Sequence, residues 1–148
     1  MQLDQKLVDA AVAQLERRWP PDEEGGAAAV YLDDGRILTS VGLDNLNGAA
    51  ALCHETGAIC QAYTLGGRVT ASVCVHRDPE HGRILVLPPC GICQERLALW
   101  GPDVEVAVPG GSGEAGWSAR PLREVNPYYW GSQFTDDGTW PDSELHSS

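Results

Sequence analysis

Basic side chains are scarce in this chain: ten Lys and Arg stand against 21 Asp and Glu, a formal net charge of −11. Gripping a nucleic-acid backbone needs clustered cations that displace counterions from phosphates, so polymeric nucleic acid is disfavoured as a partner. An anionic membrane surface is disfavoured for the same reason. No run of about 18 apolar residues is present to span a bilayer. The opening Met1-Gln2-Leu3-Asp4-Gln5 has neither the basic nor the apolar segment of a secretory leader. These absences point to a cytoplasmic protein with a small-molecule partner. No internal repeat is visible. The five cysteines are an odd set, and a Cys-x-x-Cys in an intracellular context suggests metal or redox use, not a disulfide framework.

What is present suits one compact domain: 148 residues, 43% apolar and 21% charged. Leu3, Leu7, Val8, Ala11, Val12 and Leu15 fall at helical spacing, and Trp19-Pro20-Pro21 ends that helix. Residues 27–32 and 36–41 read as a hairpin around Asp33-Asp34-Gly35, where Gly35 supplies φ > 0. A second helix is expected over about 50–64, a strand over 68–75 and another over 84–87. A third helix follows from Cys90 or Gly91 to Trp100, then an alternating strand through Val104, Val106 and Val108. A glycine-rich stretch covers 110–116, and a short helix is expected over 121–125. Strands alternating with helices give an α/β sandwich around a mixed sheet. Residues 1–130 form the expected domain and 131–148 an acidic tail. Six of the ten aromatic residues (Trp117, Tyr128, Tyr129, Trp130, Phe134, Trp140) lie in the last 32 positions. They either pin the tail onto the domain or a neighbouring subunit, or form a lid whose rings stack on a planar base.

The chemistry-bearing residues are Cys53-His54-Glu55 and Pro89-Cys90-Gly91-Ile92-Cys93. Three thiolates suit Zn²⁺, and three protein ligands leave a fourth tetrahedral position open, as in a catalytic zinc centre. A glutamate two residues from the first cysteine has no place in a closed structural site. Thiolates at helix starts would be stabilised by the helix dipole. Three blander readings compete: a zinc knuckle, buried cysteines, or a thioredoxin-type Cys90/Cys93 pair that leaves Cys53 and Glu55 unexplained. Thr56 stands where a His-x-Glu motif would need its glutamate, so His54 reads as packing or solvent-facing. Cys60 and Cys74 read as small buried hydrophobes, and His76, His81 and His146 as solvated.

At these motifs the chain resembles the small cytidine deaminase family, including its blasticidin-S deaminase branch. Cys53-His54-Glu55 is similar to the family's Cys-Ala-Glu and Pro89-Cys90-Gly91-Ile92-Cys93 to its Pro-Cys-Gly-x-Cys. Gly35-Arg36-Ile37-Leu38-Thr39 resembles its Gly-Arg-Ile-Phe-Thr hairpin strand, and Val125-Asn126-Pro127 its Leu-Leu-Pro. The resemblance implies a three-layer α/β/α sandwich with a mixed five-stranded sheet, assembled as a homotetramer (a homodimer being the lesser alternative). It implies Zn²⁺ on Cys53, Cys90 and Cys93, and Glu55 moving a proton from water to the ring N3 and then to the leaving amine. The Pro88 carbonyl would accept from the 4-amino group, and backbone N–H groups near Cys53 and Glu55 would hold the ring O2. Asp44, Leu38, Tyr129 and Trp130 complete the expected substrate contacts.

The departures concern the sugar and the charge balance. The family's Asn-x-Glu after the hairpin strand is here Gly42-Leu43-Asp44, and Leu38 replaces the phenylalanine that packs on the base. Thr56 and Gln94 stand where arginines often offset thiolate charge, with Arg96 two residues beyond. The expected activity is therefore hydrolytic deamination of a cytosine nucleoside or of a cytosyl analogue such as blasticidin S. The alternatives are a deaminase of another aminated heterocycle, guanine- or pterin-like, and a non-catalytic zinc-stabilised nucleoside-binding protein.

Overall fold

The computed structural model describes residues 2–111 and 116–141. Helix α1, Gln5–Arg18, begins where Asp4 caps it, the carboxylate accepting from the Leu7 N–H at 3.0 Å and from the Tyr31 hydroxyl at 2.8 Å. Leu7, Val8, Ala11 and Leu15 form its buried stripe, and the chain turns extended at Trp19 before the two prolines. Strands β1, Gly25–Leu32, and β2, Ile37–Val41, pair antiparallel from Ala27↔Val41 to Tyr31↔Ile37. Gly35 takes the turn at φ 88°, as its position predicted.

Strand β3, Val69–Asp78, is the hub. It pairs antiparallel with β1 and with β4, Arg83–Leu87, and parallel with β5, Glu105–Pro109. Strand β6, Trp117–Pro121, lies antiparallel against β5. The sheet is therefore six-stranded, in the order β2-β1-β3-β5-β6 with β4 on β3, and not five-stranded. The extra strand is short and runs from a glycine-rich stretch to Pro121. Only Trp117 and Ala119 of it pack against the core, too little alternation to read as a strand without its partner.

Helix α1 covers one face of the sheet. Leu7, Ala11 and Leu15 pack there with Ala29, Tyr31, Val73 and Val75. On the other face lie α2, Thr56–Leu65, α3, Gly91–Leu97, and α4, Leu122–Val125. Ile59, Ala62, Leu97 and Leu122 meet Val30, Val69 and Val106 there. The three-layer expectation holds.

The second helix starts at Thr56, not near Ala50. Residues Gly48–Ala50 form only a 3-10 turn capped by the Asn47 side chain. Leu52 and Leu43 then exchange both backbone hydrogen bonds, at 2.9 and 3.1 Å, as an isolated antiparallel bridge. That bridge holds residues 51–53 extended despite the helix-favouring alanines at 49–51 that lead into them. Helix α3 begins at Gly91 with Cys90 as its N-cap, and a 3-10 turn carries it to Trp100, where Gly101 turns out at φ 96°. Trp140 stacks on Tyr129 at 4.2 Å and packs against the core under α2 and α3. The centre of the glycine-rich stretch, and the tail with Asp142, Glu144 and His146, lie outside the described residues.

Candidate metal centre and active site

Two chain segments meet at one point. Cys53 comes from the extended approach to α2, while Cys90 and Cys93 come from the start of α3. Their Sγ atoms all lie within 4.8 Å of one another, with Cys53 and Cys90 at 3.2 Å. Four-coordinate zinc at ordinary Zn–S lengths sets sulfurs about 3.8 Å apart, so this cluster is the right size and donor type for that ion. The other group of metal-capable side chains among the described residues, Asp78, Glu80 and His81, is an exposed turn. There Asp78 already binds His81 and Arg83.

The three thiols are not equivalent. Cys90 is pushed below the usual thiol range: burial opposes this, but the backbone N–H of Cys93, the Cys53 thiol and the Ile92 N–H outweigh it. Cys53 is raised, first by its hydrogen bond with Cys90 and then by burial. Of the two, Cys90 at the start of α3 is therefore the thiol that ionises more readily. Burial, followed by the charge of Glu55, raises Cys93 well above the normal range. A metal cation reverses this ordering by favouring thiolate at all three.

Glu55 is only 3% exposed. Its carboxylate lies beside the thiols of Cys93 and Cys74 and holds both pKa values up. Burial first, and the charge of Glu55 second, raise Cys74 far above the usual thiol range. Cys74 is buried as expected, but its contact with Glu55 is new; a β-strand cysteine 19 residues downstream carries no spacing signal. Cys60, expected to be buried, is exposed, because Ala58, Ile59 and Ala62 take the inward positions of α2. Arg96 Nη1 donates to Thr56 Oγ1 at 2.6 Å, tying the first turn of α2 to α3.

His54 is packed, one of the two readings its sequence allowed, whereas His76 departs from expectation. The longer β3 takes in His76, which is half-buried instead of lying solvated in a loop. The rings stack at 5.4 Å with 8° between planes. His54 Nε2 meets His76 Nδ1 at 3.2 Å, and His76 Nε2 meets Glu24 Oε1 at 3.0 Å. Burial holds His54 below the ordinary imidazole range, with Glu55 pulling the other way and His76 reinforcing the drop. Both rings line an open cavity of about 660 Å³, together with Trp19, Glu24, Gly42 and Asp44.

Of the other predicted residues, Asp44 reaches this cavity, while exposed Pro88 sits between β4 and the first α3 thiol. Leu38 packs against the core on the α2 side. Tyr129 and Trp130 both donate to Glu95, at 3.2 and 2.8 Å, on the outer side of α3. Leu38, Tyr129 and Trp130 are not among the residues lining the 660 Å³ cavity.

The comparisons agree with this fold. A solved cytidine deaminase from Bacillus anthracis superposes with a TM-score of 0.82 at 42% identity, covering 90% of this chain and 94% of that one. The chain belongs to the cytidine deaminase family. No family model matches. A curated cytidine deaminase of Mycobacterium tuberculosis is 40% identical over 71 residues, or 47% of this chain and half the length of that protein. A blasticidin-S deaminase of Bacillus cereus is 26% identical over 111 residues, covering 72% of this chain and 79% of that one. This member gathers three thiols that could share a metal ion on a six-stranded sheet and has a histidine pair beside the first thiol.

Proposed function

We propose that this protein is a zinc-dependent aminohydrolase that removes the 4-amino group of a cytosine nucleoside or a cytosyl nucleoside analogue, releasing ammonia. The observation that carries this reading is the convergence of three thiols on a buried carboxylate, Glu55. Cys53, Cys90 and Cys93 would hold the zinc, which supplies Lewis-acid activation of water to a nucleophile at neutral pH.

Glu55 then does the proton work. It accepts a proton from the attacking water, places it on the ring N3 as C4 becomes tetrahedral, and returns a proton to the departing amine. The water oxygen becomes the new C4 carbonyl, and nitrogen leaves as ammonia. The Pro88 carbonyl is assigned to the 4-amino group, and backbone N–H groups at the Cys53–Glu55 turn to the ring O2. Asp44 and the cavity beside His54 receive the substituent on the ring. Leu38, Tyr129 and Trp130 are assigned to the pocket boundary, Trp130 from its exposed place beside Glu95 of α3. The family's sugar-holding Asn-x-Glu is here Gly42-Leu43-Asp44, so the substrate class includes modified cytosine nucleosides such as blasticidin S. The working form is taken to be a cytoplasmic homotetramer, with residues 131–148 as an appended tail.

The test is ammonia release, with loss of the cytosine absorbance band, from cytidine, deoxycytidine, 5-methylcytidine and blasticidin S by protein carrying about one zinc per chain. Glu55→Ala is expected to remove activity by about 10³-fold while zinc stays bound. Undiminished turnover in that variant would overturn the mechanism. Ligand binding without any turnover would favour a nucleoside-binding protein instead.

A further inference from the structure

The turn carrying Cys53 and Glu55 leads into α2, joined to it by Thr56 N–H to the Cys53 carbonyl at 3.1 Å and Ile59 N–H to the Glu55 carbonyl at 3.0 Å, and it must deliver one thiol and one carboxylate to the same point. The residue between them is attached to the sheet in three ways. First, its ring is wedged between Gly26 on β1 and Gly42 just beyond β2. A Cβ at Gly26 would stand 1.9 Å from His54 Nε2, and one at Gly42 would stand 2.2 Å from Nδ1. Those two glycines are themselves joined, Gly42 N–H to Gly26 carbonyl at 3.2 Å.

Second, the ring is tied through His76 on β3 to Glu24. A carboxylate only accepts, so a neutral His76 carries its proton on Nε2 and offers Nδ1; His54 therefore donates from Nε2. Third, the His54 carbonyl accepts from Ser40 Oγ on β2 at 2.5 Å.

This assignment leaves His54 Nδ1 as a bare acceptor, buried and without a partner. A leucine or methionine would fill the slot without burying an unpaired nitrogen. What an aliphatic chain lacks is the tie to His76 and Glu24.

We propose that His54 is the positioning residue of the site. Its wedge and the Glu24–His76–His54 tie hold the Cys53–Glu55 turn against β1, β2 and β3. Cys53 and Glu55 thereby meet the thiols of α3 in a fixed geometry. The inference rests on the reading that the three thiols hold zinc and Glu55 moves protons. Its nearest parallel is the outer-shell partner that orients a metal ligand, whose loss typically costs 10–100-fold in affinity or activity.

Two measurements on the full chain test it: zinc affinity by competition with a chromophoric chelator, and steady-state deamination kinetics. His54→Leu keeps the wedge and loses the tie, and His76→Ala cuts the tie from the other side. Each is expected to weaken zinc binding by roughly tenfold or more and to lower kcat by a similar factor, with KM within about twofold. Gly42→Ala should have the same effect by expelling the ring. Adding His54→Ala to Gly42→Ala should restore part of the lost zinc affinity, since the new methyl then has room. Glu24→Ala, at an exposed carboxylate, keeps the test available where an interior variant fails to fold, with a loss of roughly three- to tenfold expected. Wild-type zinc affinity and kcat in His54→Leu, His76→Ala and Glu24→Ala would overturn the proposal, as would simple addition of the Gly42 and His54 penalties. Chelator competition needs no substrate, so it decides this proposal even where the wild-type protein deaminates nothing and the functional reading falls.

Discussion

The two faces of the sheet are built on opposite plans. One carries a single 14-residue helix whose start is closed by the Asp4 side chain. The other carries three shorter helices, of ten, seven and four residues, and none of them has a side-chain cap at its N-terminus. A helix start leaves four N–H groups without partners. On the α1 face Asp4 answers one of them, and the surface behind it has no further chemistry. On the α3 side the N–H groups of Ile92 and Cys93 instead face the Cys90 thiol and lower its pKa. The uncapped face holds the thiols and Glu55, and what it lacks in local order comes from the sheet, through His54 and the Leu43–Leu52 bridge.

The sharpest way to break this contrast is to remove a ligand at an uncapped start. Cys90→Ala should weaken zinc binding by more than about 100-fold, beyond the usual outer-shell loss. The melting temperature of the metal-free protein should move little, because Cys90 is exposed; chelator competition and a thermal scan read the two quantities. Next in size come the cores. Leu7→Ala on α1 and Leu97→Ala on α3 both empty a fully buried site, and each should cost about 3 kcal/mol in denaturant unfolding. Only Leu97→Ala should also weaken zinc binding, because only its helix carries thiols. An equal zinc penalty from Leu7→Ala would mean that the two faces are not separable.

Asp4→Ala should cost about 1–2 kcal/mol and leave zinc affinity unchanged, since it opens the cap and frees the Tyr31 hydroxyl on the far face. The smallest effect is one of pH. Burial first, then the hydrogen bond to Asp4, lifts Tyr31 to about 12 from an ordinary value of 10.0. The raised folded-state pKa means that the neutral phenol contributes stability below pH 10, which is lost as pH climbs from 10 toward 12. Unfolding followed across that window should show the loss in the native chain and not in Tyr31→Phe.

Much of the architecture was readable from pattern alone. The Leu7–Leu15 stripe, the Asp-Asp-Gly turn and the alternating Val104/Val106/Val108 each carry a local signal as long as the element itself. Strand β6 did not, because its pattern has only Trp117 and Ala119 on the packed side. The start of α2 was misplaced for a different reason. Ala49, Ala50 and Ala51 favour helix, but the pairing of Leu52 with Leu43 lies outside any local window. The site divides in the same way. Cys53, Glu55, Cys90 and Cys93 announce themselves by spacing, whereas the Cys74–Glu55 contact, the Arg96–Thr56 tie and the Glu24–His76–His54 array join residues 19 to 52 positions apart.

The sequence by itself determined the chemistry, because donor type belongs to the residue: three soft thiols and one carboxylate suit the same ion and the same proton transfer in any fold that gathers them. Only the tertiary structure decided which thiol gives up its proton most readily and what holds the Cys53–Glu55 turn in place. Those outcomes depend on burial, on free N–H groups at helix starts and on hydrogen bonds closed between distant strands, none of which exists until the sheet has formed.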